Sequence, residues 1–380
     1  MDTKRTAPRP STLKSLEALR ILAAVAVVLA HSSAFHIPVL QPFIGASLFL
    51  GAYGVDIFFV ISGFVMGVAT LKTGSGTRDA WDFIYSRLLR LVPLYTLVTL
   101  AAAVYFKIIG RPWEWPHLLE SLVFLPTWGQ DRVLDPLVAM GWTLRFEMYF
   151  YLLVAAGIAL NRKLLVPVGG IALSFAAWLA TGWYFGAPLV FEFIVGFLLC
   201  VYRERLVDGP RARLGAAPFL AGLAVSVGLL LLGATGHDFG GASHGLYSQA
   251  PRLWIVYTWG ELPRILAWGV PASLVVYCCL ALERDLKWRL APAGKYTYSI
   301  YLLQFFALPV AEKLNKFSWM PSVVAFAIGW CIMGVAAVLS LRFIEQPFLK
   351  LRGRRPAPRV EAAPPQPDAE LLDDAPSTAR

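Results

Sequence analysis

Stretches of apolar residues long enough to cross a bilayer recur from one end of the chain to the other. Ten stand out, at 16–36, 44–71, 88–109, 139–160, 164–183, 188–203, 216–236, 263–283, 296–313 and 319–345. They approach the roughly 20 residues that carry a helix through about 30 Å of hydrocarbon. Two or three soluble domains are excluded by composition, since 57% of the 380 residues are hydrophobic and only 15% charged. The expected fold is therefore all-α: a polytopic integral membrane protein with about ten transmembrane helices. The fifth and sixth segments, joined by the short "TGWYFGAP", are the ones expected to tilt or re-enter.

A net charge of +10 would raise nucleic-acid binding in a soluble protein. Here the charge reads as topology, with membrane lipids as partner and no nucleic acid. With a cytoplasmic amino terminus, inner loops and tails hold 26 of the 34 lysines and arginines, and the outer loops hold seven. That bias needs an even number of spans and puts both termini in the cytoplasm. Residues 1–14 are then a short tail and 15–350 the membrane domain. Residues 351–380, rich in Pro and Ala with an acidic patch, are expected to be a disordered cytoplasmic tail. The first span could instead be a signal peptide ending at "SSA", but its removal would break the alternation of charge. Between spans, "DAWDFIYSRLLR" reads as an amphipathic approach to the third helix, and the Trp/Pro-rich stretch from Gly110 to Pro136 as an interfacial loop. The long polar connection at 233–261 is placed over an outer opening.

Ionisable residues inside these spans are costly in lipid and carry functional weight by default. Arg20 and His31 lie eleven residues apart in the first span, about three turns, so they share a helix face roughly 16 Å apart. His31 is the only one of the group that titrates near neutral pH; its bland reading is a satisfied core histidine. Asp56, Arg145, Glu147 and Glu192 are also intramembrane. Asp56 and Glu147 could be structural partners of Arg20 or Arg145, and Glu192 reads as structural. Arg87 and Arg90 stand one turn apart at the mouth of the third span. Two guanidinium groups there suit phosphate oxygens, although positive-inside anchoring would place arginines there too.

No Walker loop, HExxH or GxSxG pattern is present. Ser62 and Gly63 in "FFVISGF" read as close-packing residues. The four cysteines lack metal-ligand spacing and read as packing residues, so no metal is expected.

Arg20 and His31 with ten residues between them, "GVDIFFVISGF", "RLLRLVP", "GWTLRFEMYFYLL", "YTYSIYLLQFF" and "RFIEQPF", taken in this order, resemble the bacterial membrane-bound acyltransferase-3 family. The resemblance covers about 14–350, and the Trp-Thr-Leu-x-x-Glu-Met form is most similar to the branch that modifies exopolysaccharides. It implies a ten-helix, multi-pass inner-membrane enzyme that moves an acyl group, often acetyl from acetyl-CoA, to a carbohydrate hydroxyl. The acceptor is then a polysaccharide or lipid-linked oligosaccharide. The family's functional residues map to Arg20, His31, Arg87 and Arg90. In the mechanism expected on this basis, Arg87 and Arg90 bind the phosphates of acyl-CoA and His31 is the general base. Asp56 or Glu147 orients the imidazole, and Arg20 or Arg145 stabilises the oxyanion. A relay through acylated His31 is the covalent variant. One departure is Gln304, where the family often has histidine. The competing reading is a transporter of a glycan precursor or small anion, against which no inverted repeat is evident.

Overall fold

The computed structural model describes residues 13–32, 35, 37, 47–128, 133–236 and 265–352. The two tails, apart from their innermost residues, and most of the 233–261 connection lie outside these. Each of the ten apolar segments holds a helix. In chain order these are α1 (Lys14–Ala30), α2 (Ser47–Lys72), α3 (Thr77–Ile108), α5 (Gly141–Ala159), α6 (Leu165–Thr181), α7 (Phe191–Val201), α9 (Ala217–Gly236), α10 (Val270–Ala281), α11 (Thr297–Asn315) and α12 (Ser322–Ser340). Shorter helices are α4 (Trp115–Leu122), α8 (Gly209–Leu214) and α13 (Gln346–Arg352). The only strands among the described residues are a two-residue pair that sets Thr127 opposite Leu134 and Trp128 opposite Val133.

Three helical stretches are long and apolar enough to cross a membrane unaided: Tyr53–Lys72, Thr77–Ile108 and Ser322–Leu351. A fourth arises if Glu204–Leu214 and Ala217–Leu231, bent by 117°, act as one span. The remaining apolar helices are shorter or more polar, because the backbone breaks the segments. A 3₁₀ turn at Pro188–Val190 precedes α7, and a π turn at Ile265–Gly269 precedes α10. Apolar side chains face outward as well as inward, with Ile108, Leu173 and Val225 well exposed. An exterior of that kind suits lipid rather than water.

Three expectations change. The amphipathic approach is not a separate element but the first three turns of the 32-residue α3. The Trp/Pro-rich loop contains α4, whose Trp115 and Leu119, with Val123 just past its end, are exposed while Leu118 and Ser121 are buried. The first helix ends at Ala30 rather than near residue 36, leaving His31 as its C-terminal cap. In the "TGWYFGAP" connection, Tyr184 and Phe185 are buried.

Two devices set the helices that carry the site. At Gly63 a Cβ would collide with the Phe193 carbonyl, and at Gly196 one would collide with that of Val60. The α2 and α7 backbones therefore touch directly, the use small residues have in membrane helix pairs. At the start of α1, the Glu283 carboxylate accepts from the Lys14 and Ser15 N–H groups at 2.9 and 2.8 Å. It satisfies two of the donors that a helix start leaves unpaired and complements the helix dipole.

Candidate active site

Side chains from α1, α2, α3, α5 and α11 converge on one cavity of about 80 Å³. Arg20, Arg87 and Arg90 line it together with Glu147, Ser62 and Tyr151. One turn of helix separates Arg87 from Arg90, and that spacing aims both at the same space. Glu147 accepts from Ser62 Oγ at 3.2 Å and from the Tyr151 hydroxyl. The Arg87 guanidinium lies 5.5 Å above the Phe83 ring and 5.9 Å from that of Tyr151. Arg20 pairs with Glu17 one turn earlier, at 3.7 Å, rather than with Asp56 or Glu147. Three cations and one carboxylate thus line the cavity, which gives its wall a net positive charge.

The roof is built by α11 and the start of α5. The Tyr298 hydroxyl donates to the Leu91 carbonyl at 2.6 Å. The Thr143 and Tyr301 hydroxyls lie 2.9 Å apart, each 3.1 Å from the Met140 carbonyl oxygen. Behind Tyr298, Ser299 donates to the buried Glu345 carboxylate, which also accepts from Ser340 Oγ at 3.3 Å. Two late motifs that look unrelated in sequence, "YTYSIYLLQFF" and "RFIEQPF", are one contact in space.

Four of the six predicted site residues meet here: Arg20, Arg87, Arg90 and Glu147. His31 and Asp56 do not line the cavity. His31 Nδ1–H donates to the Val27 carbonyl at 2.8 Å, a tautomer that leaves the ring lone pair on Nε2. Val28, one turn before His31, shares a buried cluster with Leu308, one turn beyond Phe305 of α11. His31 accordingly sits further along the bundle than the arginines. Asp56 is fully buried two residues beyond Gly54, where α2 meets α1: a Cβ there would lie 2.7 Å from the Ala23 carbonyl oxygen and 3.0 Å from the Val27 side chain. Arg145 is buried and donates to the Leu134 carbonyl at 3.0 Å. Glu192 is buried against Gly269. Gln304 is also buried, its amide donating to the Tyr301 carbonyl at 2.8 Å. Among the described residues no cluster of ligating side chains could hold a metal. Cys200, Cys278 and Cys279 are buried free thiols, while Cys331 is exposed.

Sequence reasoning missed Thr143, Tyr151 and the α11 tyrosines, and read Ser62 as a close-packing residue although its hydroxyl lines the cavity and donates to Glu147. Tyr151 follows Glu147 by four residues and was open to a helical-face argument. Ser62 carried no such signal, because its partner is 85 residues away.

The fold and site together are a bundle of apolar helices closing on an arginine-lined cavity. The acyltransferase-3 family model, an acyltransferase domain, matches residues 13–341, and the chain belongs to that family. It is 30% identical over 330 residues to the exopolysaccharide production protein ExoZ of Rhizobium meliloti (strain 1021), covering 82% of this chain and 93% of ExoZ. It is 25% identical over 429 residues to the acyltransferase MdmB of Streptomyces mycarofaciens, covering 98% of this chain and 99% of MdmB. No solved structure matches. The protein is an acyltransferase.

Proposed function

We propose that the enzyme transfers an acyl group, in the first instance acetyl, from cytoplasmic acyl-CoA to a carbohydrate hydroxyl on a surface polysaccharide or its lipid-linked precursor. It does so as a multi-pass protein of a bacterial inner membrane, with ten crossings and both termini inside. The observation that carries this reading is the convergence of Arg20, Arg87 and Arg90 on one cavity. Guanidinium groups give charge-assisted, bidentate hydrogen bonds to phosphate oxygens, and the phosphates of CoA are the anionic part of the donor. Ligand pockets that enclose whole small molecules run to about 300–1,000 Å³. This cavity is smaller and takes only part of the donor. The name of ExoZ supports the exopolysaccharide as acceptor class.

In the reaction, the acceptor oxygen bonds to the acyl carbon, the C–S bond breaks, and the hydroxyl proton passes to a base and then to the departing thiolate. His31 is assigned as that base, through Nε2. Asp56 is the carboxylate favoured to steady its ring, since it is buried where α2 packs on the turn before His31. Glu147 is reassigned to the arginines.

The test compares alkali-labile acyl groups on envelope and extracellular glycans, and CoA-thioester turnover in membranes, for wild type, His31→Ala and Arg87→Ala. Both activities should be lost in the variants at normal expression. Glycan transport unaffected by either change, with no thioester turnover in wild type, would replace the enzyme reading by a carrier.

A further inference from the structure

A second and larger cavity, of about 270 Å³, lies where α3 ends. Phe106 on its wall is sixteen residues beyond Arg90, roughly 24 Å along a helix. The two cavities therefore reach to different depths of the bundle, with Arg90 and Phe106 towards their far ends. Beside it runs α4, whose exposed Trp115 and Leu119, with Val123 just past its end, suit a membrane interface.

Its walls combine aromatic faces with a few fixed polar groups. Trp113 is held by Nε1–H donation to the Ala103 carbonyl at 2.8 Å, and Arg111 stacks 4.8 Å above the Phe106 ring. His117 Nε2–H donates to the Asp135 carbonyl at 2.8 Å, which leaves the Nδ1 lone pair to accept a hydrogen bond. The site is rigidly built. Ser121 donates to the His117 carbonyl at 2.7 Å and accepts from Leu137 N–H at 3.1 Å, and Tyr95 donates to the Ser121 carbonyl at 3.0 Å.

We infer that this cavity binds a sugar residue of the acceptor, an inference that rests on the acyl-transfer reading above. A pyranose presents C–H groups on its faces and hydroxyls around its rim. The C–H groups match the negative face of Trp113. Hydroxyls can donate to His117 Nδ1 and the Asp135 carboxylate and accept from Arg111. Arg111 and Asp135 balance in charge, so the site favours a hydroxylated ligand over a phosphate headgroup. Its volume is close to the lower limit for small-ligand pockets. The position also suits transfer: Ala139 and Phe305 line this cavity, while Thr143 and Tyr301, each four residues away in sequence, line the arginine cavity. The hydrogen-bonded Thr143 and Tyr301 hydroxyls and the Met140 carbonyl lie in this region.

The test uses purified protein in lipid nanodiscs, acetyl-CoA, and de-O-acylated exopolysaccharide fragments from a strain lacking the gene. His117→Ala should raise KM for the fragments about tenfold, with kcat and the acetyl-CoA Kd within about twofold. His117→Gln, which keeps an acceptor, should recover part of the loss. Ala139→Trp, which fills the cavity, should abolish saturation by the fragments at unchanged acetyl-CoA affinity. Fragment KM unchanged in both His117→Ala and Ala139→Trp would overturn the assignment and leave the acyl-transfer reading intact. Loss of acetyl-CoA binding in both would overturn it too, by giving the cavity a purely structural role. Absence of fragment acylation by wild type would overturn the acyl-transfer reading and this inference with it.

Discussion

Three guanidinium groups around one cavity repel one another, and Glu147 is the one carboxylate among the residues that line it. An anionic ligand should therefore stabilise the fold as well as bind. Saturating CoA at 100 times its Kd contributes about 2.7 kcal/mol by mass action and should raise the unfolding temperature of wild type. Arg87→Ala removes a charge-assisted contact worth about 1.5–3 kcal/mol and should weaken CoA binding roughly 10- to 150-fold. Arg87→Lys should fall between, because it keeps the charge and loses the planar fork. Equal CoA affinity in all three proteins would refute the phosphate role. Glu147→Gln preserves hydrogen bonding but not charge, so the ligand-free variant should melt earlier and gain more from CoA than wild type does. At this scale the arginines and Glu147 were legible in sequence, since charges in apolar spans announce themselves. The hydroxyl groups of Ser62, Thr143 and Tyr301 were not, because such residues are unremarkable in a membrane helix until tertiary contact gives them partners.

Between elements, backbone contact and capping decide the geometry. Gly63→Val puts a branched side chain against the Phe193 carbonyl, and overpacking of that kind costs about 1–3 kcal/mol or more. The expected outcome is lower thermal stability and lower yield in detergent. Gly169→Ala, at a position where a Cβ meets nothing within 4 Å, serves as the control and should be neutral. Glu283→Ala removes the carboxylate from the start of α1 and should cost about 1–2 kcal/mol, read as a drop in melting temperature that Glu283→Gln only partly reverses. That contact joins residues 268 or more positions apart, which is why no reading of local pattern could have found it. Helix positions were legible because apolar length is a local property. Helix ends were less so: α1 stops at Ala30 and α3 starts at Thr77 for reasons that lie in their neighbours and in amphipathic continuity.

For the molecule as a whole, the distribution of Lys and Arg makes a prediction that helix length alone does not. In a cysteine-free background, an impermeant thiol reagent applied to intact cells should label Glu114→Cys beside α4. It should reach Arg213→Cys in α8 only after the membrane is opened. The reverse pattern would invert the topology, and labelling of both from outside would refute ten crossings. Architecture was legible in outline here, while the two-cavity plan was not, since it depends on how α11 spans both chambers with residues only four apart.

The close approach of Gly63 to Phe193 and of Gly196 to Val60 bears on mechanics. Two backbones that touch without intervening side chains have nothing compressible between them, so α2 and α7 act as one stiff strut. By contrast, α3 and α11 meet around the second cavity through side chains such as Phe106 and Phe305, 5.8 Å apart and edge-on. Aromatic edges can slide where carbonyls cannot, so the α3–α11 seam at this end is softer than the α2–α7 one.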